Sequence, residues 1–255
     1  MSDRHEQFSV GERPRVEAAT TSGGITIREG VAGTIEVWLE GSSEQVEIEQ
    51  VGDTVIVGPP RGGFLRRVWS GDIVVNAPSG AAVEVRCGSG DIHLDLPVGD
   101  LDASVASGDI RARRVAGNAT IKSASGDVVL EHVAGRLELS TASGDARVGS
   151  VDGDVNSNTA SGDLTIDRLG GSALLRTASG NLTIRRLDGQ DLSAKSLSGN
   201  LKVGIPPRRR IDVDLHSLSG KLRNRLPEGD GSPPEAEIVV RVNTVSGDVT
   251  LQGAT

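Results

Sequence analysis

The 255-residue sequence is poor in aromatic residues and cysteine, and each shortage limits how the protein can be built. It has two Trp, two Phe and no Tyr, so a core must be built from smaller aliphatic side chains. The single cysteine, Cys87, excludes an internal disulfide framework. No apolar run reaches the roughly 18 residues that a membrane-spanning helix needs. The first seven residues also lack an apolar stretch. We therefore expect a cytoplasmic protein without membrane insertion.

Residues that carry chemistry are scattered along the chain. The four histidines show no metal-ligand spacing, and no Gly-x-Ser-x-Gly motif is present. The net charge of −8 gives no reason to expect binding to nucleic acid. We therefore expect neither an enzyme nor a bound cofactor or metal.

Glycine is abundant, with 34 residues, and much of it belongs to a recurring Ser-Gly-Asp tripeptide. Its serines are separated by steps of 19, 18, 18, 18, 18, 18, 19, 21 and 27 residues. A near-constant period of this length is typical of a solenoid, in which each repeat buries its core only against its neighbours. The ten serines are Ser70, Ser89, Ser107, Ser125, Ser143, Ser161, Ser179, Ser198, Ser219 and Ser246.

One repeat, residues 125–142, shows how a coil is built. Val128 and Leu130 alternate with other residues, as do Leu137 and Leu139, and this period of two indicates two short strands. A glycine follows each strand, and an alanine precedes Ser in five repeats; we interpret this alanine as lying inside a corner. The sequence therefore predicts an all-β fold, a single parallel β-solenoid (β-helix) with coils of ~18 residues and about nine to ten coils. The predicted structural corners are Gly90, Gly108, Gly126, Gly144, Gly162, Gly180 and Gly199.

The two ends of the sequence differ from this pattern. All four aromatic residues (Phe8, Trp38, Phe64 and Trp69) lie in residues 1–69, which we interpret as irregular strands and an aromatic cap. Residues 70–255 hold the regular coils of the same continuous domain, with 235–251 as the final coil. The stretch 64–69 mixes apolar and basic residues, so a membrane- or partner-binding tip is an alternative to the cap.

The Asp of the tripeptide has two interpretations. A column of carboxylates is typical of a calcium-binding β-roll, which also uses coils of about 18 residues. The Gly-Gly-x-Gly-x-Asp repeat of that class is missing, however, and Asn181, Asn200 and Lys221 replace Asp in later repeats. These replacements favour a role in forming the turn.

A basic segment stands out late in the chain. Residues 161–226 contain twelve Lys and Arg against six Asp, in a chain that is acidic overall. This segment is either a solvated face or a surface that docks an acidic partner. The candidate partner-binding residues are Arg168, Arg176, Arg185, Arg186, Lys195, Lys202, Arg208, Arg209 and Arg210.

Two motifs carry a resemblance to a known family. They are the Thr/Ser-Ala-Ser-Gly-Asp units within residues 105–184, followed by alternating apolar residues, and the Ser-Gly-Asp-Val-Thr-Leu sequence at 246–251. With them the chain resembles, over nearly its whole length, the bacterial "putative adhesin" family, a domain of unknown function. The resemblance implies a β-solenoid of uncharacterised role.

The sequence leaves three hypotheses about function. The first is a non-catalytic scaffold that binds an unknown protein partner on one face of the solenoid. The alternatives are a self-assembling protein similar to bactofilins, which stack solenoids end to end, and a calcium-binding β-roll. The aromatic cap argues against end-to-end stacking, so a monomer is favoured.

Overall fold

A computed structural model describes residues 4–41, 46–59, 70–226 and 236–254. Within these ranges the regular structure consists of 25 β-strands and no helix, which confirms the all-β prediction. The described residues accordingly include no helix long and apolar enough to cross a membrane. The chain divides into two compact units, residues 1–129 (unit 1) and 130–255 (unit 2). The predicted tip at 64–69, with two of the four aromatic residues of the predicted cap, lies outside the described residues.

Unit 1 contains two sheets of six strands. The first has the order β1-β4-β7-β3-β9-β11 and the second the order β12-β10-β8-β2-β6-β5. The pairs β1–β4, β4–β7 and β5–β6 are antiparallel, whereas β2, β3, β8, β9 and β10 pair in parallel with their neighbours. The strands are β1 (Arg4–Ser9), β2 (Arg15–Ser22), β3 (Ile25–Glu29), β4 (Thr34–Gly41), β5 (Glu47–Val51), β6 (Thr54–Gly58), β7 (Gly71–Ala77), β8 (Ala82–Ser89), β9 (Ile92–Val98), β10 (Leu101–Ser107), β11 (Ile110–Val115) and β12 (Ala119–Ser125).

Unit 2 also contains two sheets, and the boundary between the units falls within β13. The first sheet has the order β13-β15-β17-β19-β21-β25-β23 and the second the order β14-β16-β18-β20-β24-β22. The strands are β13 (Val128–Val133), β14 (Leu137–Ser143), β15 (Ala146–Val151), β16 (Val155–Ser161), β17 (Leu164–Leu169), β18 (Ala173–Ser179), β19 (Leu182–Leu187), β20 (Asp191–Ser198), β21 (Leu201–Ile205), β22 (Arg209–Ser219), β23 (Leu222–Arg225), β24 (Ala236–Ser246) and β25 (Val249–Gly253).

The alternation of side chains explains both the strands and their stacking. In β14, Leu137 and Leu139 are buried whereas Glu138 is exposed. Strands 18 residues apart pair in parallel, so Leu164 lies beside Leu182 of the next repeat. The inward column that contains Leu164 and Leu182 is therefore a row of aliphatic side chains, and burying one such side chain contributes about 1.5–3 kcal/mol. The strands of each unit thus form a solenoid-like arrangement.

The Ser-Gly corners require glycine for two reasons. All seven predicted corner glycines have a positive φ, for example +115° at Gly162. A Cβ placed on Gly162 would lie 2.1 Å from the carbonyl oxygen of Gly144, the equivalent residue on the neighbouring repeat. Corner backbones therefore stack too closely for any side chain.

The order of the strands departs from their order along the chain in both units. In unit 1, β2 lies between β6 and β8, and β3 lies between β7 and β9. In unit 2, β24 lies between β20 and β22, and β25 lies between β21 and β23. The sequence predicted the last stretch as the final coil; the structure instead inserts it one layer inside the outermost strands.

Gly162→Ala tests the stacking of the corners. We expect a loss of about 3 kcal/mol in the free energy of unfolding, since the new methyl group meets a neighbouring backbone in a strained conformation. Gly80→Ala is the matched control, because Gly80 has a φ of +85° but a methyl group added there would meet no heavy atom within 4 Å. It should cost only about 1 kcal/mol. Urea unfolding measures both, and equal losses would contradict close stacking.

Candidate interaction surface

The Asp of the tripeptide forms a ladder of hydrogen bonds between repeats. In unit 1, the backbone N–H of Asp109 donates to Oδ1 of Asp91 over 2.9 Å, and that of Asp127 donates to Oδ1 of Asp109 over 2.9 Å. In unit 2, the N–H of Asp163 donates to Oδ1 of Asp145 over 3.0 Å. Each side chain therefore satisfies a corner N–H of the neighbouring repeat.

The ladder explains why other residues replace Asp. Asn181 accepts from the N–H of Asn200 over 3.1 Å, and Asn200 accepts from that of Asp248 over 2.9 Å, because an amide oxygen serves as well as a carboxylate oxygen. Lys221 takes part only through its backbone N–H, which donates to Oδ1 of Asp248 over 3.0 Å. It precedes β23, the outermost described strand of its sheet, so no described strand needs an acceptor from it.

The same geometry bears on the calcium hypothesis. The Oδ1 atoms that would bind calcium already accept backbone N–H groups, and Oδ2 of Asp109 pairs with Arg111 over 2.8 Å. Among the residues that the structure describes, no group of three or more His, Cys, Asp or Glu side chains is placed to hold a metal ion. The Asp column is therefore occupied by contacts of the fold itself.

The predicted basic residues lie on both sheets of unit 2. The first sheet carries Arg168, Arg185, Arg186 and Lys202, and the second carries Arg176, Lys195, Arg209 and Arg210. Arg208 precedes β22 with a φ of 61°. The basic residues thus divide between two faces.

Carboxylates pair with three of these cations on the first sheet. Arg168 and Arg186 contact Asp188 through Nε over 2.8 and 2.9 Å, and Arg185 contacts Asp167 over 3.2 Å. Partial burial of Asp188 opposes its charge, but hydrogen bonds from Arg168 and Arg186 outweigh this and hold the pKa of Asp188 below its ordinary value. The excess charge of the segment is therefore partly balanced on this face.

The second sheet of unit 2 exposes a run of large apolar side chains at its corner. Leu197 on β20, Val245 on β24 and Leu218 on β22 are 61%, 46% and 85% exposed. The register places them side by side, because the residues flanking them pair directly, Ser196 with Thr244 and Thr244 with Ser217. We call Leu197, Val245 and Leu218 the apolar stripe.

A polar column runs beside the stripe on the same outward face. Arg176 pairs with Lys195, Lys195 with Asn243, and Asn243 with His216. All four side chains are exposed. We call these residues the polar column; with the apolar stripe it forms an amphipathic surface two residues wide.

The residue before Ser carries the sequence signal for the stripe, but the predicted position of this residue inside a corner is wrong. The sequence predicts that the alanine before Ser lies inside a corner, but the structure leaves this alanine exposed in all five repeats: Ala106, Ala124, Ala142, Ala160 and Ala178. On an outward column, the change from Ala178 to Leu197, Leu218 and Val245 marks a surface that becomes apolar in the last repeats.

Cys87 belongs to the fold rather than to a reactive site. It is 5% exposed, and its Sγ lies 3.2 Å from the carbonyl oxygen of Gly23. Burial raises the pKa of its thiol, so the reactive thiolate is disfavoured.

These features define a class: an all-β repeat protein with a solenoid-like arrangement in each unit and an exposed amphipathic surface. The family model described as Toastrack DUF4097 matches residues 18–252, and the chain belongs to that family. The resemblance to the "putative adhesin" family is thereby confirmed. A comparison with curated proteins gave no match.

Solved structures support the fold over nearly the whole chain. A "putative adhesin" from Parabacteroides distasonis is similar at 12% identity and a TM-score of 0.56, covering 98% of this chain and 97% of its own. One from Bacteroides fragilis, at 14% identity and 0.51, gives the same coverage. One from Parabacteroides merdae, at 10% identity and 0.52, covers 98% of this chain and 95% of its own. At these identities the likeness concerns the fold alone.

Replacing Asp91 tests the ladder. Asp91→Ala removes an acceptor from the N–H of Asp109, and we expect a loss of about 1 kcal/mol in the free energy of unfolding. Asp91→Asn keeps an oxygen in place and should stay close to the parent. Urea unfolding separates the two, and equal losses would show that the charge of Asp91, rather than its acceptor, stabilises the corner.

Asp188→Asn tests the paired arginines through pH. A carboxyl whose pKa is lowered in the folded state stabilises the protein above its ordinary pKa of 3.8, and this contribution is lost as the pH falls through the lowered value. We therefore expect the variant to be about 1 kcal/mol less stable at pH 7, with the difference vanishing in acid. Asp167→Asn, at a more exposed pair, should change stability less. A pH-independent difference in urea unfolding would contradict this assignment.

Proposed function

We propose that this protein is a non-catalytic β-solenoid scaffold, of roughly nine to ten coils, that binds a protein partner through the apolar stripe and the polar column. The repeated side chains of the described corners make contacts within the fold, as the Asp ladder shows. The cysteine is buried, and its thiol is held in the unreactive form. These observations favour a binding role over a catalytic one.

One observation carries the proposal. The apolar stripe exposes three large side chains side by side, where the equivalent residue is alanine in five other repeats. Single exposed apolar residues are ordinary on a protein surface, but contiguous ones mark sites of interaction. The three side chains of the stripe are exposed and do not contribute to the buried core of unit 2. Exposed apolar side chains lower solubility, so their presence is consistent with a contact to a partner.

The flanking charges suggest the chemistry of the partner. Arg176 and Lys195 lie next to the stripe, and Nη1 of Arg176 donates to the neutral amide oxygen of Asn158 over 3.4 Å, a contact that leaves its charge available. A partner with apolar side chains at the centre of its contact and carboxylates beside them would match both features. We therefore propose an acidic partner, as the basic segment suggested, that binds this face of the second sheet.

The proposal is tested by restoring the residue found in the other repeats. The triple variant Leu197→Ala, Val245→Ala and Leu218→Ala should lose proteins that the parent retains in a cross-linking pull-down. Since all three side chains are exposed, we expect its stability to stay within about 0.5 kcal/mol of the parent for each substitution.

Val31→Ala with Val51→Ala is the matched control, because these two residues are 72% and 57% exposed on unit 1. It removes exposed apolar area elsewhere and should retain the same proteins as the parent. Lys195→Glu should weaken retention without removing apolar area. Identical sets of retained proteins for the parent and the triple variant would refute the role of the stripe.

A further inference from the structure

The second sheet of unit 2 ends in an unusually open edge. Its outermost strand, β22, is 11 residues long and pairs with β24 on one side. Among the described strands none pairs with its other side. Long unprotected edges offer unpaired backbone groups to another chain, and proteins usually block them.

The inward side of this edge is also incompletely covered. Ile211, Val213 and Leu215 alternate along β22 on the side of the core, yet each is only half-buried. Their partners one strand inside, Ile238, Val240 and Val242, are at most 2% exposed. On the other sheet, Leu222 of β23 is 45% exposed, although it pairs with the buried Val249. The end of unit 2 therefore leaves core positions open.

The edge strands of unit 1 are protected in contrast. On β1, Arg4 and Glu6 pair with Leu39 and Val37, both fully buried, so these charged residues lie on the inward side. They form an ion pair with each other, and Nη1 of Arg4 donates to the carbonyl oxygen of Val46 over 2.9 Å. Gln50 of β5 donates to the carbonyl oxygen of Ser9 over 2.6 Å. Inward charges and such tethers prevent another strand from adding.

We infer that β22 is a dimerisation edge, at which it pairs antiparallel with β22 of a second copy of this chain about a two-fold axis. The strand begins with Arg209 and Arg210 and continues with Asp212 and Asp214. An antiparallel pair centred on Ile211 sets Arg210 opposite Asp212 twice, whereas a parallel pair in register would set like charges side by side. Ile211, which is half-buried in one copy, then faces Ile211 of the second copy, and the two side chains cover each other.

The contrast between the edges limits the assembly to two copies. A filament of the bactofilin type needs a second open edge that accepts a copy, and the edge strands β1 and β5 are blocked. The sequence favoured a monomer on the strength of its aromatic cap, but it held no information about the uncovered core at β22. This inference does not rest on the partner-binding proposal, because it uses the inward side and the backbone edge rather than the apolar stripe.

A cysteine on the two-fold axis tests the pairing directly. Residues facing each other in an antiparallel pair have Cα atoms about 4.5–5.5 Å apart, within the range of about 4.4–6.8 Å that a disulfide spans. Ile211→Cys should therefore give a disulfide-linked dimer under mild oxidation. Asp214→Cys is the control, since it would face Arg208 and should stay unlinked. The buried Cys87 does not compete.

Sedimentation of unmodified and charge-reversed chains supplies the second readout. The parent should sediment as a dimer, Arg210→Asp should weaken the dimer at least tenfold, and adding Asp212→Arg should restore it. Lys122→Asp, an exposed reversal on unit 1, should have no effect. Val213→Lys places an inward charge on the edge and should give a monomer, with circular dichroism reporting its fold.

Several results would overturn the inference. They are a monomeric parent at every concentration, growth beyond two copies, or equal disulfide linkage of the two cysteine variants. If Val213→Lys fails to fold, the charge reversals and the cysteine pair decide alone. The triple alanine variant of the stripe should remain dimeric, so failure of one proposal is distinguishable from failure of the other.

Discussion

Parallel stacking in register places each residue beside its equivalent from another repeat, and the rest of the structure depends on this constraint. Each column of equivalent residues must therefore consist of side chains that can lie next to one another. Aliphatic columns do so by burying one another, and corner glycines do so because they have no side chain to collide. A column of Asp would repel itself, but each carboxylate faces a backbone N–H of the next repeat instead. The Gly and the Asp of the tripeptide thus solve two separate problems of self-stacking.

The sequence predicted the repeat unit well, because its information is local. The strands around Leu137 and Leu139, and the positive φ at Gly162, follow from alternation and from glycine spacing. The neighbours of each repeat could not be predicted, because nearly identical repeats match one another equally well in any order. The insertion of β24 and β25 inside the outermost strands is therefore a property of the folded chain. The division at residue 69 stays a prediction of the sequence.

Charge counting found the basic segment but not its arrangement. Two strands per repeat distribute neighbouring residues such as Arg176 and Arg185 to different sheets. A count of charges also ignores ion pairs. Asp188, for example, pairs with both Arg168 and Arg186, which the count included as free positive charges. The apolar stripe needed one further fact, that the residue before Ser points outward. If it is not known which side of the strand this residue faces, the change from Ala178 to Leu197 looks like the replacement of a small core residue by a larger one.

The inserted strands have a consequence for how the chain acquires its structure. The described ladder partners of β22 and β23 are β24 and β25, which come later in the chain. During synthesis the outermost layer of unit 2 therefore emerges before the layer that it rests on. It must wait unpaired, or pair with β20 and β21 and later give way. Unit 2 is therefore completed when β24 and β25 insert beneath strands that were made before them, and it does not grow steadily from one end.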